Sequence, residues 1–323
     1  MKTVLVTGGA GYIGSHTCKA LSQAGFLPVT YDNLSTGHES AVKWGPFVHG
    51  DIADEHTLTE TIKAFKPEAV LHFAADALVL ESQQNPSKYY RNNVAGTLCL
   101  LETMRACAIN QLIFSSTCSI YGAPKLSPIT EDHALCPITP YGRSKWMAEQ
   151  IMDDFDRAYG LKTVKLRYFN AAGADLDSDV GEQHNPETHL IPRAIQTALG
   201  LRKEIVVYGT DFETHDGSAV RDFTHVKDLA DAHVLALEYL QNSGQSDVFN
   251  LGTGQGMSVF EIIDAIQKFS GMPFKVLLDK RHEGDPDILT ADSQKAKRIL
   301  QWVPKYSSLP TIIESAYKWH KSS

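Results

Sequence analysis

The sequence predicts an α/β protein in which a doubly wound parallel sheet is joined to a smaller, interwoven α/β lobe. Three observations carry this reading. Short β-branched runs alternate with longer helical patterns up to about residue 170, the rhythm of repeated βαβ units. A glycine-rich turn, Gly8, Gly11 and Gly14 in VLVTGGAGYIGSH, separates the first such run from the first helical pattern. After Asn170 the beat loosens into AAGADLDSDVGEQHNPETH, a Gly- and Asp-rich loop that opens a second lobe. The expected division is 1–172, with returns of the chain at about 220–255, for the sheet domain, and a discontinuous 173–323 for the second.

In order, the expected strands of the sheet are TVLVT, PVTYD, FVHGD, AVLHFA, QLIFSST and TVKLRYF. YIGSHTCKALSQAG and DEHTLTETIKAF are among the helices between them. Later, DVFNLGTG and FKVLL read as strands, and DLADAHVLALEYL and LPTIIESAYKWHK as amphipathic helices. The stripe Ile312, Ile313, Ala316 and Tyr317 of the last helix is expected in the core rather than in an interface.

The chain of 323 residues, 43% hydrophobic and 21% charged, has ample core for one large or two modest domains. A net charge of -8 and the lack of any basic cluster interleaved with aromatics argue against a nucleic-acid surface. The five cysteines, at 18, 99, 107, 118 and 136, form no Cys-x-x-Cys and leave one unpaired, which suits a reducing cytoplasm. MKTVLVTGG has too short an apolar run for a signal peptide, and no stretch approaches the ~20 apolar residues of a membrane span. A cytoplasmic protein without membrane or nucleic-acid partners is expected.

Glycines at a strand-to-helix turn permit a tight bend and close approach of a pyrophosphate, which the helix N-terminus attracts. The second strand ends in Asp32, 18 residues after Gly14, where a carboxylate meets ribose hydroxyls. This is the pattern of a Rossmann-type dinucleotide site. Asp32 repels a 2'-phosphate, and NLSTGH after it holds no Arg or Lys, so NAD is favoured over NADP.

Three Tyr-x-x-x-Lys pairs occur, Tyr121–Lys125, Tyr141–Lys145 and Tyr317–Lys321. Spacing alone does not separate them, because residues four apart share a face only on a helix. Pro124 places the first in a turn, and that pair reads as structural. In TPYGRSKWMAEQIMDDFDRAYG, Thr139 caps, Pro140 suits the first helical position, and Trp146, Met147, Ile151 and Phe155 supply an apolar face. Tyr141 and Lys145 then stand one turn apart.

The Gly-x-x-Gly-x-x-Gly turn together with Tyr141 and Lys145 resembles the extended short-chain dehydrogenase/reductase superfamily. Within it, TGGAGYIGSHT, YDNLSTGH, GDI, NNVAGT, FSSTCSIYG, PYGRSK, RYFNAAGA, DGSAVRDFTHVKDLADAH, NLGTG and EGDP follow one another as in UDP-glucose 4-epimerases, over almost the whole chain. The resemblance implies a homodimeric isomerase with NAD as bound cofactor. Tyr141 would take the proton of the sugar 4-hydroxyl while C4 gives up hydride, and return of hydride to the opposite face of a 4-keto sugar would invert the configuration. Lys145 would stabilise the phenolate and hold the cofactor ribose, and Thr117 would hydrogen-bond the reacting oxygen. An ordinary tyrosine pKa of about 10 must fall by about three units, ~4 kcal/mol, for the base to work near neutrality.

The same resemblance implies cofactor contacts at Gly8, Gly11, Tyr12, Ile13, Gly14, Asp32, Asn33, Asp51, Ile52, Phe73, Ala74, Ala75, Asn92, Tyr141, Lys145 and Phe169. It implies contacts to the UDP-sugar at Thr117, Tyr141, Asn170, His189, Leu190, Val207, Tyr208, Arg221, Arg281, Asp285 and Leu289. Arg221 and Arg281 suit a diphosphate on chemical grounds, since an acidic protein needs local cations for it.

Three positions depart from the pattern. Ala77 stands where many 4-epimerases carry a lysine, which predicts weaker retention of NAD. His282 stands at an arginine position, so either Arg281 substitutes or phosphate affinity follows histidine titration. Leu289 stands where a larger residue is frequent, which leaves room for N-acetylated sugars. A 4,6-dehydratase is disfavoured, because Cys118 and Ser119 follow Thr117 where that class places Asp-Glu. Epimerases of UDP-glucuronate or UDP-pentoses share the chemistry and stay open, and a non-catalytic NAD-binding regulator has no need of the trio. Of metal motifs, Asp175, Asp177 and Asp179 fail as a calcium loop at Val180 and Pro186. His184, Glu187 and His189 show no fourth ligand, so loop packing and no metal are expected.

Overall fold

The computed structural model describes residues 1–124, 126–282 and 284–322. Its strands are β1 (Lys2–Thr7), β2 (Phe26–Asp32), β3 (Phe47–His49), β4 (Ala69–His72), β5 (Gln111–Thr117), β6 (Lys162–Tyr168), β7 (Asn170–Ala172), β8 (Glu204–Tyr208), β9 (Val220–Arg221), β10 (Phe223–His225), β11 (Asp247–Leu251), β12 (Met257–Ser258), β13 (Lys275–Asp279) and β14 (Ile288–Leu289). The helices are α1 (Tyr12–Gln23), α2 (Glu55–Phe65), α3 (Val79–Gln84), α4 (Pro86–Tyr89), α5 (Thr97–Ala106), α6 (Pro140–Tyr159), α7 (Leu190–Ala198), α8 (Val226–Ser243), α9 (Val259–Ser270), α10 (Gln294–Ile299) and α11 (Leu309–Ser322). All six runs expected for the sheet are strands.

With β11 added, the six form one seven-stranded parallel sheet in the order β11-β6-β5-β4-β1-β2-β3. Alternation decides the layers. On β1, Val4 and Val6 join a core containing Leu21 of α1 and Leu229 and Leu237 of α8, whereas Leu5 joins the opposite core with Leu58, Leu100, Met104 and Met152. A buried parallel sheet with helices on both faces results. Its order reverses beside β1, and the loops at the carboxyl ends of β1 and β4 part there to leave a crevice.

A third apolar cluster joins α7, β8, α9 and α11 through Ile191, Ile195, Ile205, Ile263, Ile312 and Ala316, so the last helix is core, as its stripe predicted. Small ladders tie the later chain together: β13 with β8, β10 with β7, and β12 and β14 on either side of β9. Among the described residues no helix is long and apolar enough to cross a membrane.

Helix α6 begins as expected, with the Thr139 hydroxyl accepting from the Gly142 N–H and Pro140 in the first turn. Its buried face is not the expected one. Met147 is exposed, Ile151 and Phe155 are partly buried, and the side chains fully inside include Lys145, Ala148, Glu149 and Met152. Glu149 is taken inward by Arg167 on β6, whose Nη2 and Nε donate to it at 2.6 and 3.1 Å. The Ser116 hydroxyl donates to the same carboxylate at 2.5 Å.

Asp222, fully buried between β9 and β10, collects the N–H groups of Thr253, Gly254 and Ala291 at 2.8–3.1 Å and the Thr253 hydroxyl. Removing it leaves three inward-facing N–H donors without acceptors, each worth ~1–3 kcal/mol. Asp222→Ala is expected to lower stability by about 3–5 kcal/mol in urea unfolding, and a loss under 1 kcal/mol would contradict that role.

Candidate active-site cleft

The crevice at the switch point is the mouth of a cavity of about 1290 Å³ that runs from the glycine turn to β8 and β14. Gly8 has φ +73°, and a Cβ there would sit 2.5 Å from the Ala74 nitrogen. A Cβ on Gly14 would meet the Gly8 oxygen at 2.2 Å. These two glycines are fixed by the protein's own packing. Gly11 is different: its nearest atom lies 3.3 Å away, and it opens α1, whose N-terminus carries no side-chain cap and no acidic residue in its first turn. Free N–H donors and the positive end of the helix therefore face an open cavity, a fit for a pyrophosphate.

Asp32, at the end of β2, is buried yet lines the cavity. Its oxygens accept from Ala10 N–H at 2.9 Å and Leu34 N–H at 2.8 Å, and burial raises its pKa against those two bonds. The carboxylate thus braces the glycine turn while keeping lone pairs for a ribose. Tyr12, Ile13, Asn33, Ile52, Phe73, Ala74, Ala75, Asn92 and Phe169 also line the cavity. Asp51 does not; it accepts from Asn33 Nδ2 at 2.8 Å and Ala53 N–H at 2.8 Å.

Thr117, Tyr141 and Lys145 converge on the same cavity from the end of β5 and the first turns of α6. The Thr117 hydroxyl donates to Ser119 Oγ at 3.2 Å and accepts from Ser119 N–H at 3.1 Å. The Tyr141 ring stands edge-on to Tyr89, 6.4 Å between centroids. Burial pushes its phenol up to about 12, with Thr117 drawing it partly back. Lys145 lies against the Phe114 ring at 4.4 Å, and burial brings its ammonium down to about 7 against the pull of Glu149. In the chain by itself the phenol therefore moves opposite to the shift a base needs.

On the far side, Asn170, His189, Leu190, Val207, Tyr208, Arg221, Asp285 and Leu289 line the cavity. Asn170 Nδ2 donates to Asp222 O at 3.2 Å. Arg221 donates to the carbonyls of Val220 and Pro286 at 2.9 Å each. Arg281 lies outside the lining, its guanidinium over Phe212 at 4.2 Å and its Nη2 on the Asp285 carbonyl at 2.8 Å. His282 lines the cavity instead, stacked on Tyr208 with 4.5 Å between centroids. Ala77 lines it as well, as does Lys88, whose ammonium is held by Asp76 at 3.1 Å and Glu81 at 2.8 Å. Lys125 of the first Tyr–Lys pair lies outside the described residues; Tyr121 of that pair is buried on Asn250 and Arg167, a structural role.

One contributor escaped the sequence reading. Glu182 folds back on His184, Glu187 and His189, making a group of four. Burial opposes charging of both imidazoles, yet the two carboxylates override it and lift His184 to about 9 and His189 to about 10. The Asp175, Asp177 and Asp179 group is instead filled by the Lys19 ammonium, at 2.7, 3.0 and 2.8 Å.

A doubly wound sheet with a glycine turn, a carboxylate at the end of β2 and a Tyr-x-x-x-Lys helix at the switch point defines a Rossmann-type α/β protein of the short-chain dehydrogenase/reductase kind. The chain belongs to the NAD dependent epimerase/dehydratase family, whose model matches residues 4–252. A UDP-glucose 4-epimerase of Rhizobium meliloti (strain 1021) is 52% identical over 98% of this chain and 96% of its own. The crystal structure of UDP-glucose 4-epimerase from Brucella ovis in complex with NAD superposes with a TM-score of 0.97 at 52% identity, covering 98% of each chain. The UDP-Glc/GlcNAc 4-epimerase of Campylobacter jejuni superposes with a TM-score of 0.88 at 41% identity over both full chains.

Lys145 gives this site a signature in stability. Its folded pKa of about 7 lies below the ordinary lysine value of 10.5, so between these pH values the unfolded chain holds one more proton. Stability then rises with pH by up to ~1.4 kcal/mol per unit, and below pH 7 the full penalty of burying the charge applies. His184 and His189, held charged in the folded chain, pull the other way over the same range in both proteins. In unfolding of ligand-free protein from pH 7 to 9, the difference between wild type and Lys145→Met is therefore expected to carry that rising slope. Parallel curves would contradict it.

Proposed function

We propose that this protein interconverts UDP-glucose and UDP-galactose, with NAD as bound cofactor, through a 4-keto sugar. The observation that carries the reading is that Thr117, Tyr141 and Lys145 line one cavity with the glycine turn. The family and its 4-epimerase relatives support this reaction class, which is that of an isomerase. When bound, NAD supplies the hydride acceptor and donor for sugar C4 and a positive ring beside the phenol.

Gly11, at the open N-terminus of α1, would admit the pyrophosphate, with Gly8 and Gly14 shaping the turn, and Asp32 would receive ribose hydroxyls. Lys145 holds the second ribose, and its charge, favoured once anionic ligand groups enter, lowers Tyr141. Tyr141 accepts the proton of the sugar 4-hydroxyl, with Thr117 exchanging its Ser119 bond for the reacting oxygen, and returns the proton after the keto sugar has turned. Arg221 neutralises the diphosphate and His282 faces the same cavity, whereas Arg281 is engaged elsewhere. Residues 1–172 with the returns at about 220–255 form the cofactor domain, and 173–323 the UDP-sugar domain. The five free cysteines support a cytoplasmic location, and the family resemblance supports a homodimer.

The test is incubation with UDP-galactose without added NAD, following UDP-glucose. Conversion at a rate cut by at least ~10³-fold in Tyr141→Phe, with NAD still retained by the variant, is expected; an undiminished rate in Tyr141→Phe would sink the assignment.

Leu289 lines the sugar end, where a leucine leaves space for an N-acetyl group. The wild type is expected to turn over UDP-GalNAc, and Leu289→Tyr to lose that activity while keeping at least a third of its rate with UDP-galactose. No detectable conversion of UDP-GalNAc by the wild type removes the extension.

A further inference from the structure

We propose that Glu182, His184, Glu187 and His189 bind one divalent transition-metal ion, zinc foremost, as a clasp for the loop between β7 and α7. The argument begins with spacing. The candidate donor atoms all lie within 4.8 Å of one another. His184 Nδ1 stands 3.4 Å from Glu182 Oε1 and 3.5 Å from Glu187 Oε2; His189 Nδ1 stands 2.9 Å from Glu182 Oε1 and 3.0 Å from Glu187 Oε1. An ion with bonds of about 2.0–2.1 Å and tetrahedral geometry separates its ligands by about 3.3 Å. The four crossings bracket that edge length.

The second observation is unspent bonding capacity. Glu187 is 7% exposed, and its Oε2 has no hydrogen-bond partner; neither has the Nδ1 of His184 facing it. Glu187 Oε1, by contrast, is fixed by the N–H groups of Thr188 and His189 at 2.8 Å each. One oxygen is thus oriented by the backbone and the other aimed into the group, as for a ligating carboxylate held from behind. No Lys or Arg among the described residues ion-pairs with Glu182 or Glu187, whereas the neighbouring aspartates are filled by Lys19. Two imidazoles and two carboxylates suit zinc and its first-row neighbours better than calcium or magnesium, which favour all-oxygen sets.

Four protein ligands leave no open position, so the ion would be structural. Its carriers are tied to distant elements: Trp319 Nε1 of α11 donates to Glu182 O at 3.1 Å, Arg202 donates to Glu187 O at 3.3 Å, and Tyr12 of α1 stands edge-on to His184. His189 directly precedes Leu190, the first residue of α7 and part of the cavity wall.

The test uses the full chain, freed of metal with a chelator, desalted and given zinc chloride. About one zinc per chain should survive gel filtration and raise the melting temperature, and X-ray absorption should show four N/O ligands at about 2.0–2.1 Å. Glu187→Gln and the milder His189→Asn, at a half-exposed side chain, should each weaken zinc binding at least tenfold. Failure to retain zinc, retention unchanged in both variants, or a sulfur ligand, which would move the ion to a cysteine such as the exposed Cys136, overturns the proposal.

Discussion

The buried carboxylate of Asp222 holds the two halves of this molecule in register. It is an acceptor to three N–H groups that belong to two different returns of the chain, one following β11 and one following β14. Taking a charge out of water is unfavourable unless hydrogen bonds replace hydration, and here they come from backbone that has no other partner. Because the acceptor sits between β9 and β10, it fixes Arg221 on one side, while its own carbonyl receives both the backbone and side-chain N–H of Asn170. The far wall of the cavity is assembled around that one residue, and the near wall around the glycine turn. What lies between them has the width that both sets of constraints allow.

A second buried charge set governs the orientation of the trio. Glu149 follows Lys145 by one turn of α6 and is clamped by Arg167 and Ser116, whose neighbours in sequence end β6 and β5. The helix cannot rotate without breaking this pair, so Tyr141 and Lys145 are held against Thr117 by an interaction that touches no ligand. The electrostatic result is a site poised rather than pre-charged. Burial destabilises both phenolate and ammonium, and anionic and cationic ligand groups entering together relieve both.

The repeating sheet was legible because two periods coexist in the first 170 residues and its central strands, β1, β4, β5 and β6, are buried on both faces over most of their length. Helix α6 was legible at its start, where Thr139 and Pro140 act locally, but not in its facing. Met147 was expected inside and is exposed, because the partners that draw Glu149 and Lys145 inward, Arg167 and Phe114, are remote in sequence. The same limit explains Arg281 and His282: adjacent residues in irregular chain carry no periodicity to say which one turns into the cavity. Glu182 was missed because its relation to HNPETH is made by a loop closing on itself. Asp222 gave no signal beyond a family motif, since its donors are backbone groups about 30 and 70 residues further on.

The outermost strand of the sheet is supplied late. β11 pairs with β6 in parallel, yet about 80 residues separate their ends. A ribosome adding ~5–20 residues per second needs ~4–16 s to deliver it. For that interval β6, a Val- and Leu-bearing strand, has an open edge while the nascent chain already carries most of the sheet. The finished protein covers this edge with a short strand that begins on Asp247, whose carboxylate pairs with Lys295. During synthesis the protection must come from elsewhere, from chaperones or from slow emergence itself, so the interlacing that joins the two lobes also makes their birth order matter.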